Sequence, residues 1–217
     1  MKKRICSLLL VIALLLSVLP TAAAEDYRLL YSRVVAGGGE VLIEITGYTG
    51  TLPEKLVIPE QIEGLPVRSI SHFAFQNAPI REVVLPGSIE KLNTRAFAEH
   101  KTLEAVTFQE GTRVVSQAFA NCSNLKSVTL PSTLRELGYE TFCYTALENI
   151  QFPAGLKVIG EKCFQFSKLR SIVLPEGVER IENCAFWGNE AQGRLIIPAS
   201  VQYLGGSVST ATIFPMR

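Results

Sequence analysis

The sequence predicts an α/β-type repeat solenoid of about 22 residues per coil, with a parallel β-sheet on the concave face and turns or short 3₁₀ segments on the convex face. Three observations predict it. A small residue, Thr or Cys followed by Phe recurs at Ala74-Phe75, Ala96-Phe97, Ala118-Phe119, Thr141-Phe142, Cys163-Phe164 and Ala185-Phe186, so the phenylalanines are spaced by 22, 22, 23, 22 and 22 residues. In phase with them runs an apolar residue, two variable positions, Val or Ile, one variable position, then Leu or Phe and usually Pro, at 80–86, 103–108, 125–131, 147–153 and 169–175. Finally, one such coil is too small to bury its own apolar positions, so neighbouring coils must stack them into a shared core.

Residues 1–24 read as a secretory signal peptide. Lys2, Lys3 and Arg4 make a basic start, residues 7–19 an apolar run, and Ala22-Ala23-Ala24 the small residues a signal peptidase needs, with cleavage before Glu25. The competing reading, a membrane anchor, needs roughly 20 apolar residues, more than this run supplies. Cleavage would move the net charge from +1 to about −2, because three basic side chains leave with the leader. Such a value argues against nucleic acid or an acidic membrane as partner, both of which leave a basic footprint. No second membrane span is expected, which predicts a protein that is secreted or held at the cell surface by other means.

Residues 25–51 are expected to form an N-terminal cap region, with 25–39 as a hairpin or cap ending in Gly37-Gly38-Gly39. The repeat solenoid should occupy 52–205. Within each unit the strand is the alternating, β-branched tail of the motif, one face of which is buried. Proline ends it, because it has no amide hydrogen for the ladder. Between strand and Phe lies a further apolar pair, such as Leu134 and Leu137, Leu156 and Ile159, or Val178 and Ile181. Gln109 departs from the pattern, standing where Pro is usual. The last unit has Leu195, Ile196, Ile197 and Pro198, then Val201 and Leu204, with no Phe after them, so 206–217 is expected to be a tail or degenerate cap.

The run Ala118-Phe119-Ala120-Asn121-Cys122-Ser123-Asn124-Leu125-Lys126-Ser127-Val128-Thr129-Leu130-Pro131 resembles the BspA-type leucine-rich repeat family. Upstream, Ile45-Thr46-Gly47-Tyr48-Thr49-Gly50, Leu56-Val57-Ile58-Pro59 and Gly64-Leu65-Pro66-Val67-Arg68-Ser69-Ile70 are similar to the opening coil of such bacterial proteins, and the likeness covers about residues 41–205. The resemblance implies a secreted or surface protein of a bacterium or microbial parasite, used for binding and adhesion. It names no ligand.

The strand residues that point outward are Glu82 and Val84, Ala105 and Thr107, Ser127 and Thr129, Asn149 and Gln151, then Ser171 and Val173. Thr107, Ser127, Thr129, Asn149 and Gln151, small or polar and uncharged, are the candidate ligand-binding residues, for a peptide or a glycan. The alternative is a solvated sheet whose polar side chains stack between coils. Arg81, Glu104, Lys126, Glu148 and Arg170 occupy one position in successive coils and alternate in sign, which would help set the register. Tyr144, Phe166 and Trp187 follow the Phe of three consecutive coils and form a candidate aromatic contact patch, unless they only cover the underside of the turns. The four cysteines beyond the leader, Cys122, Cys143, Cys163 and Cys184, drift relative to the Phe of their coils, which favours buried free thiols over a ladder of disulfides.

Catalytic residues are scarce. Asp26 is the only aspartate, and His72 and His100 are the only histidines. A Ser-His-Asp triad has no acid within the repeats, no G-x-S-x-G elbow occurs, and no H-E-x-x-H, EF-hand or C-x-x-C pattern points to a metal or a redox site. No cofactor is expected. The expectation is therefore a non-catalytic module that recognises an extracellular protein or glycan. A structural surface protein assembling through its coil ends comes second, and a secreted hydrolase has the least support.

Overall fold

The structure, a computed structural model, describes residues 26–92, 94–191, 194–209 and 212–215. The leader expected at 1–24 lies outside them. The described chain begins with an antiparallel hairpin of β1 (Tyr27–Val35) and β2 (Val41–Gly50). The Ala36 N–H donates to Glu40 O across its turn, and Gly38 and Gly39 supply the positive φ that the reversal requires. Ile43 and Ile45 of β2 point into the core, and Tyr48 lies over Phe75 with ring centroids 6.1 Å apart.

Short strands follow: β3 (Lys55–Val57), β4 (Gln61–Ile62), β5 (Leu65–Ile70), β6 (Glu82–Leu85), β7 (Lys91–Leu92), β8 (Ala105–Phe108), β9 (Val114–Val115), β10 (Ser127–Thr129) and β11 (Glu136–Leu137). The chain continues through β12 (Val158–Ile159), β13 (Arg180–Ile181), β14 (Arg194–Ile197), β15 (Tyr203–Leu204) and β16 (Thr212–Pro215). The hairpin joins the repeats through the sheet β1-β2-β5-β4, in which β2 and β5 are parallel.

The solenoid has three walls. Strands β3, β6, β8 and β10 form a parallel sheet in the register expected from the motif, with Val83 opposite Val106 and Leu85 opposite Phe108. A second parallel sheet, in the order β7-β9-β11-β12-β13-β15, is built from the apolar-pair segments that sequence reasoning left unassigned. The third wall carries the phenylalanines. Where Gln109 replaces proline, its N–H donates to Leu85 O at 2.9 Å, a ladder bond that proline could not make.

The expected α/β character and the 3₁₀ pieces are not found, since the described residues include no helix. The hydrogen bonds explain why. Gln117, Phe119 and Asn121 donate their amides to Tyr139, Thr141 and Cys143 of the next coil, so only every second amide remains for a local turn, as in Ala120 to Gln117 O and Cys122 to Phe119 O. A helix needs all of its amides in sequence. The turns between these bonds place positive φ two residues before or after the Phe, at Phe73, Gln117, Glu140, Lys162 and Cys184 on one side and Asn77, Glu99, Asn121, Tyr144, Phe166 and Gly188 on the other.

The core runs the length of this stack. All six ladder phenylalanines are fully buried, and successive rings stack with centroids 5.1 to 5.6 Å apart. Phe186 bridges to Ser209, which stands where a further Phe would continue the column. β14 pairs in parallel with β16.

Candidate functional site

The first sheet ends at β10, although the motif continues. No backbone hydrogen bond joins β10 to residues 149–151, or those residues to 171–173. The consequence is visible in burial: Val83 and Val106 are buried under the paired strands, whereas their counterparts Val128, Ile150 and Ile172 are only half-buried. Asn149 and Gln151 flank Ile150, and Asn is among the residues that strands disfavour.

A cleft of 380 Å³ opens between residues 126–130 and 149–151. Of the predicted site residues, Ser127, Thr129, Asn149 and Gln151 line it and are exposed. Thr107 lies outside the cleft and half-buried, in register beside Thr129 on the paired part of the sheet. The floor of Val128, Leu130 and Ile150 was missed, because the regular motif predicts these side chains to be covered.

The charge column is interrupted at the same place. Arg81 pairs with Glu104 at 2.6 Å and Glu54 at 3.7 Å, and Arg170 pairs with Glu148 at 3.1 Å. Lys126, between them, makes no ion pair among the described residues. It faces three neighbouring hollows: the cleft itself, a second of 380 Å³ beside Glu148, Asn149 and Lys168, and a third of 530 Å³ toward Arg81 and Glu104.

On the Phe wall the three predicted aromatics do come together. Tyr144 and Phe166 stack at 5.0 Å, and Trp187 meets Phe166 edge-on at 4.8 Å, with 49%, 38% and 37% of their surfaces exposed. Gly188 makes room for them, since a Cβ there would lie 2.5 Å from the Phe166 ring.

The residues three after each Phe form a column that sequence reasoning did not anticipate, buried except at Asn189, which is half-buried. Cys122 Sγ donates to Phe97 O, Ser167 Oγ to Phe142 O, and Asn189 Nδ2 to Phe164 O, so these side chains satisfy carbonyls of the preceding coil. This explains the drift of at least one cysteine. All four described cysteines are free, and burial raises the thiols of Cys122 and Cys143 to about 12 and 11, far from a reactive thiolate. His100 occupies the same column. Its Nδ1 accepts the Leu103 N–H at 3.2 Å, its Nε2 has no partner among the described residues, and burial lowers its pKa to about 4. His72 lies elsewhere, its Nδ1 facing the Arg95 N–H. Among the described residues no three His, Cys, Asp or Glu side chains gather as a metal site, and no helix is long and apolar enough to cross a membrane.

The model of the BspA type leucine rich repeat region matches residues 68–192 in six copies. Three solved structures are similar. A leucine rich cell surface protein from Faecalibacterium prausnitzii is 25% identical with a TM-score of 0.70, over 82% of this chain and 49% of that one. A leucine-rich repeat protein from Bacteroides ovatus is 22% identical with a TM-score of 0.65, over 83% and 56%. The T. pallidum leucine rich repeat protein is 23% identical with a TM-score of 0.60, over 85% and 83%. The latter two carry the fold alone, and the chain spans about half the length of the first two. No curated protein matches the sequence.

Proposed function

The chain belongs to the BspA-type leucine-rich repeat family, and we propose that it is a non-catalytic recognition module at the cell surface or beyond it, binding a protein or a glycan through the strand wall. The observation that carries this reading is the interruption of that wall: exposed Ser127, Thr129, Asn149 and Gln151 surround an open cleft over a half-buried apolar floor. Ligand sites combine such apolar lining with a few convergent polar groups. The surface location is supported by the description of the F. prausnitzii protein and by the leader-like residues 1–24.

The test is a binding screen of the protein against arrays of extracellular proteins and glycans. Thr107→Lys, Thr129→Lys and Gln151→Lys together should abolish binding of any ligand held on the strand wall, while Trp187→Ala on the Phe wall should leave it intact. Undiminished binding by the triple variant, with loss in Trp187→Ala, would transfer recognition to the aromatic cluster. A second reading, assembly through coil ends, draws on the β14-β16 pair, which adds a further parallel strand beyond the last ladder phenylalanine. A monodisperse monomer in ultracentrifugation at high concentration would remove it.

A further inference from the structure

We infer that the protein forms a two-fold dimer in which the outer edge of β1 pairs with β1 of a second copy, antiparallel and centred on Ser32. The interface lies in the N-terminal hairpin, away from the strand wall, so it stands or falls separately from the recognition reading above.

Backbone direction comes first. β1 ends the sheet β1-β2-β5-β4. In an antiparallel ladder alternate residues exchange their bonds with one neighbour, and the residues between them face the other way. Asp26 O accepts the Thr51 N–H at one end of the hairpin, and the Ala36 N–H donates to Glu40 O at the other, so the even-numbered residues face β2. The alternation runs unbroken along β1, because the unpaired residue of the ladder, Thr46, belongs to β2. Leu29, Tyr31, Arg33 and Val35 therefore turn their N–H and C=O groups to the outer edge, where no backbone partner meets them among the described residues.

That edge has room for another strand. Residues 32–35 are exposed on both faces of β1. Beside its first half a hollow of 390 Å³ opens toward Val57, Pro59 and Ile62. Arg28 lines it from one face of the strand and Leu29 and Tyr31 from the other, so the hollow reaches the outer edge. A long edge of this kind is a template for pairing.

The side chains select the partner and its register. Leu30, Val34 and Val35 are 45%, 41% and 68% exposed. Residues directly opposed in an antiparallel pair share a face. Leu30 and Val34, opposite Gly47 and Leu42, thus lie on the outer face, while Tyr31 and Arg33, opposite Ile45 and Ile43, lie on the core side with Leu29 and Val35. A two-fold axis at Ser32 sets Leu30 against the partner's Val34, and Val34 against the partner's Leu30. It also sets Val35 against the partner's Leu29, at the rim of the partner's hollow. All three exposed apolar side chains are then covered by apolar ones. Four residue pairs exchange both of their bonds, which makes about eight backbone hydrogen bonds. The partner's Arg33 comes to lie beside Tyr31, and so near Glu63, the carboxylate that holds Arg33 and Tyr31 of its own chain.

Other registers lose these matches. Centring on Tyr31 sets Leu29 against Arg33 and Leu30 against Ser32. Centring on Leu30 sets Val34 against Asp26, and centring on Arg33 brings two guanidinium groups together. Self-complementarity at one register is what an isologous interface requires, and an unrelated strand would match these positions only by coincidence.

The experiment is sedimentation of the purified protein over a concentration series, which should show monomer and dimer in equilibrium. Leu30→Lys with Val34→Lys, and separately Leu30→Glu with Val34→Glu, oppose like charges across the axis and should each weaken the dimer about tenfold or more. Both positions are exposed, so thermal melts should stay near those of the unchanged protein. An equimolar mixture of the two variants should recover the dimer, because every lysine then faces a glutamate, and misfolded chains would not be repaired by mixing. Ser32→Cys should give a reducible covalent dimer under mild oxidation, since a self-opposed, non-hydrogen-bonded pair has Cα atoms about 4.5 Å apart, within reach of a disulfide. Leu30→Cys, facing the partner's Val34, should not.

A monomer at every concentration overturns the proposal. So does a dimer that both charge variants retain, which would transfer assembly to the coil ends. A dimer that is lost in the variants but not recovered on mixing, or that Ser32→Cys fails to lock, excludes this antiparallel register. Ligand capture by the monomeric variants leaves the recognition reading standing whatever the fate of the dimer.

Discussion

Phe119 is in contact with three aromatic rings at once: Phe97 and Phe142 stack on its two faces at 5.5 and 5.6 Å, Phe108 meets it edge-on at 5.9 Å, and no part of it reaches solvent. Truncating it leaves a void whose walls are held by neighbouring coils, so Phe119→Ala should destabilise the protein by about 3–5 kcal/mol, and Phe119→Leu by less. Urea midpoints of the two variants measure the difference. His100 is the residue whose charge state matters most to folding. Its pKa falls to about 4 in the folded protein from an unfolded value near 6.5, because burial disfavours the imidazolium. The unfolded chain then binds more protons between those values, so stability is lost as pH drops from about 6.5 and the loss is complete near 4. Allowing for partial solvent screening, the loss amounts to about 2 kcal/mol. In His100→Asn, an amide such as Asn189 uses in the same column, that component of the pH dependence should vanish, which paired urea titrations at pH 4 and pH 7 would detect.

At the scale of the element, the turn around each Phe is the recurring unit, and five of the six turns hold two left-handed residues, the turn at Phe97 holding Glu99 alone. Asn77, Asn121 and Gly188 suit such positions, but Glu99, Tyr144 and Phe166 do not. Glu99 is exposed and has φ of 64°, so Glu99→Gly should raise stability by about 0.5–1 kcal/mol, and Glu99→Val should lower it. Thermal melts would show both signs. This pattern could not be seen in the sequence, because the residues that make it share no chemistry. The Phe ladder and the register of β6, β8 and β10 could be seen, since a fixed spacing of large apolar residues has few other causes. The second sheet was hidden for a different reason: strands of two residues, such as Val158–Ile159, are too short to show alternation. The cleft was hidden by the same regularity that revealed the fold. Ile150 and Ile172 satisfy the motif as well as Val106 does, and only the flanking Asn149 hints that pairing stops there. Thus four of the five candidate residues lay beside a feature that their spacing alone did not predict.

For the whole molecule the interrupted sheet raises the question of whether the solenoid is one folding unit or two. A joint would need every wall to weaken at the same level, and two of the three do not. β11 pairs with β9 before the gap and with β12 beyond it, and the Phe119, Phe142 and Phe164 rings stack through that level at 5.6 and 5.5 Å. The turns bridge it as well, with Asn121 donating to Cys143 O and Tyr144 to Gln165 O. In a stacked repeat, nearest-neighbour coupling rather than any long-range contact sets cooperativity, and here it is carried mainly by the buried aromatic column. The prediction is a single urea transition. Trp187, the only tryptophan, reports on the coils beyond the gap, while far-ultraviolet circular dichroism reports on all strands. The two probes should give one midpoint. If the fluorescence transition came first, the open cleft would mark a true joint, and Phe142→Ala, which breaks the column at that level, should then change the separation little. With the walls continuous as described, Phe142→Ala should instead split a single transition into two, because it weakens the wall that holds the halves of the solenoid together.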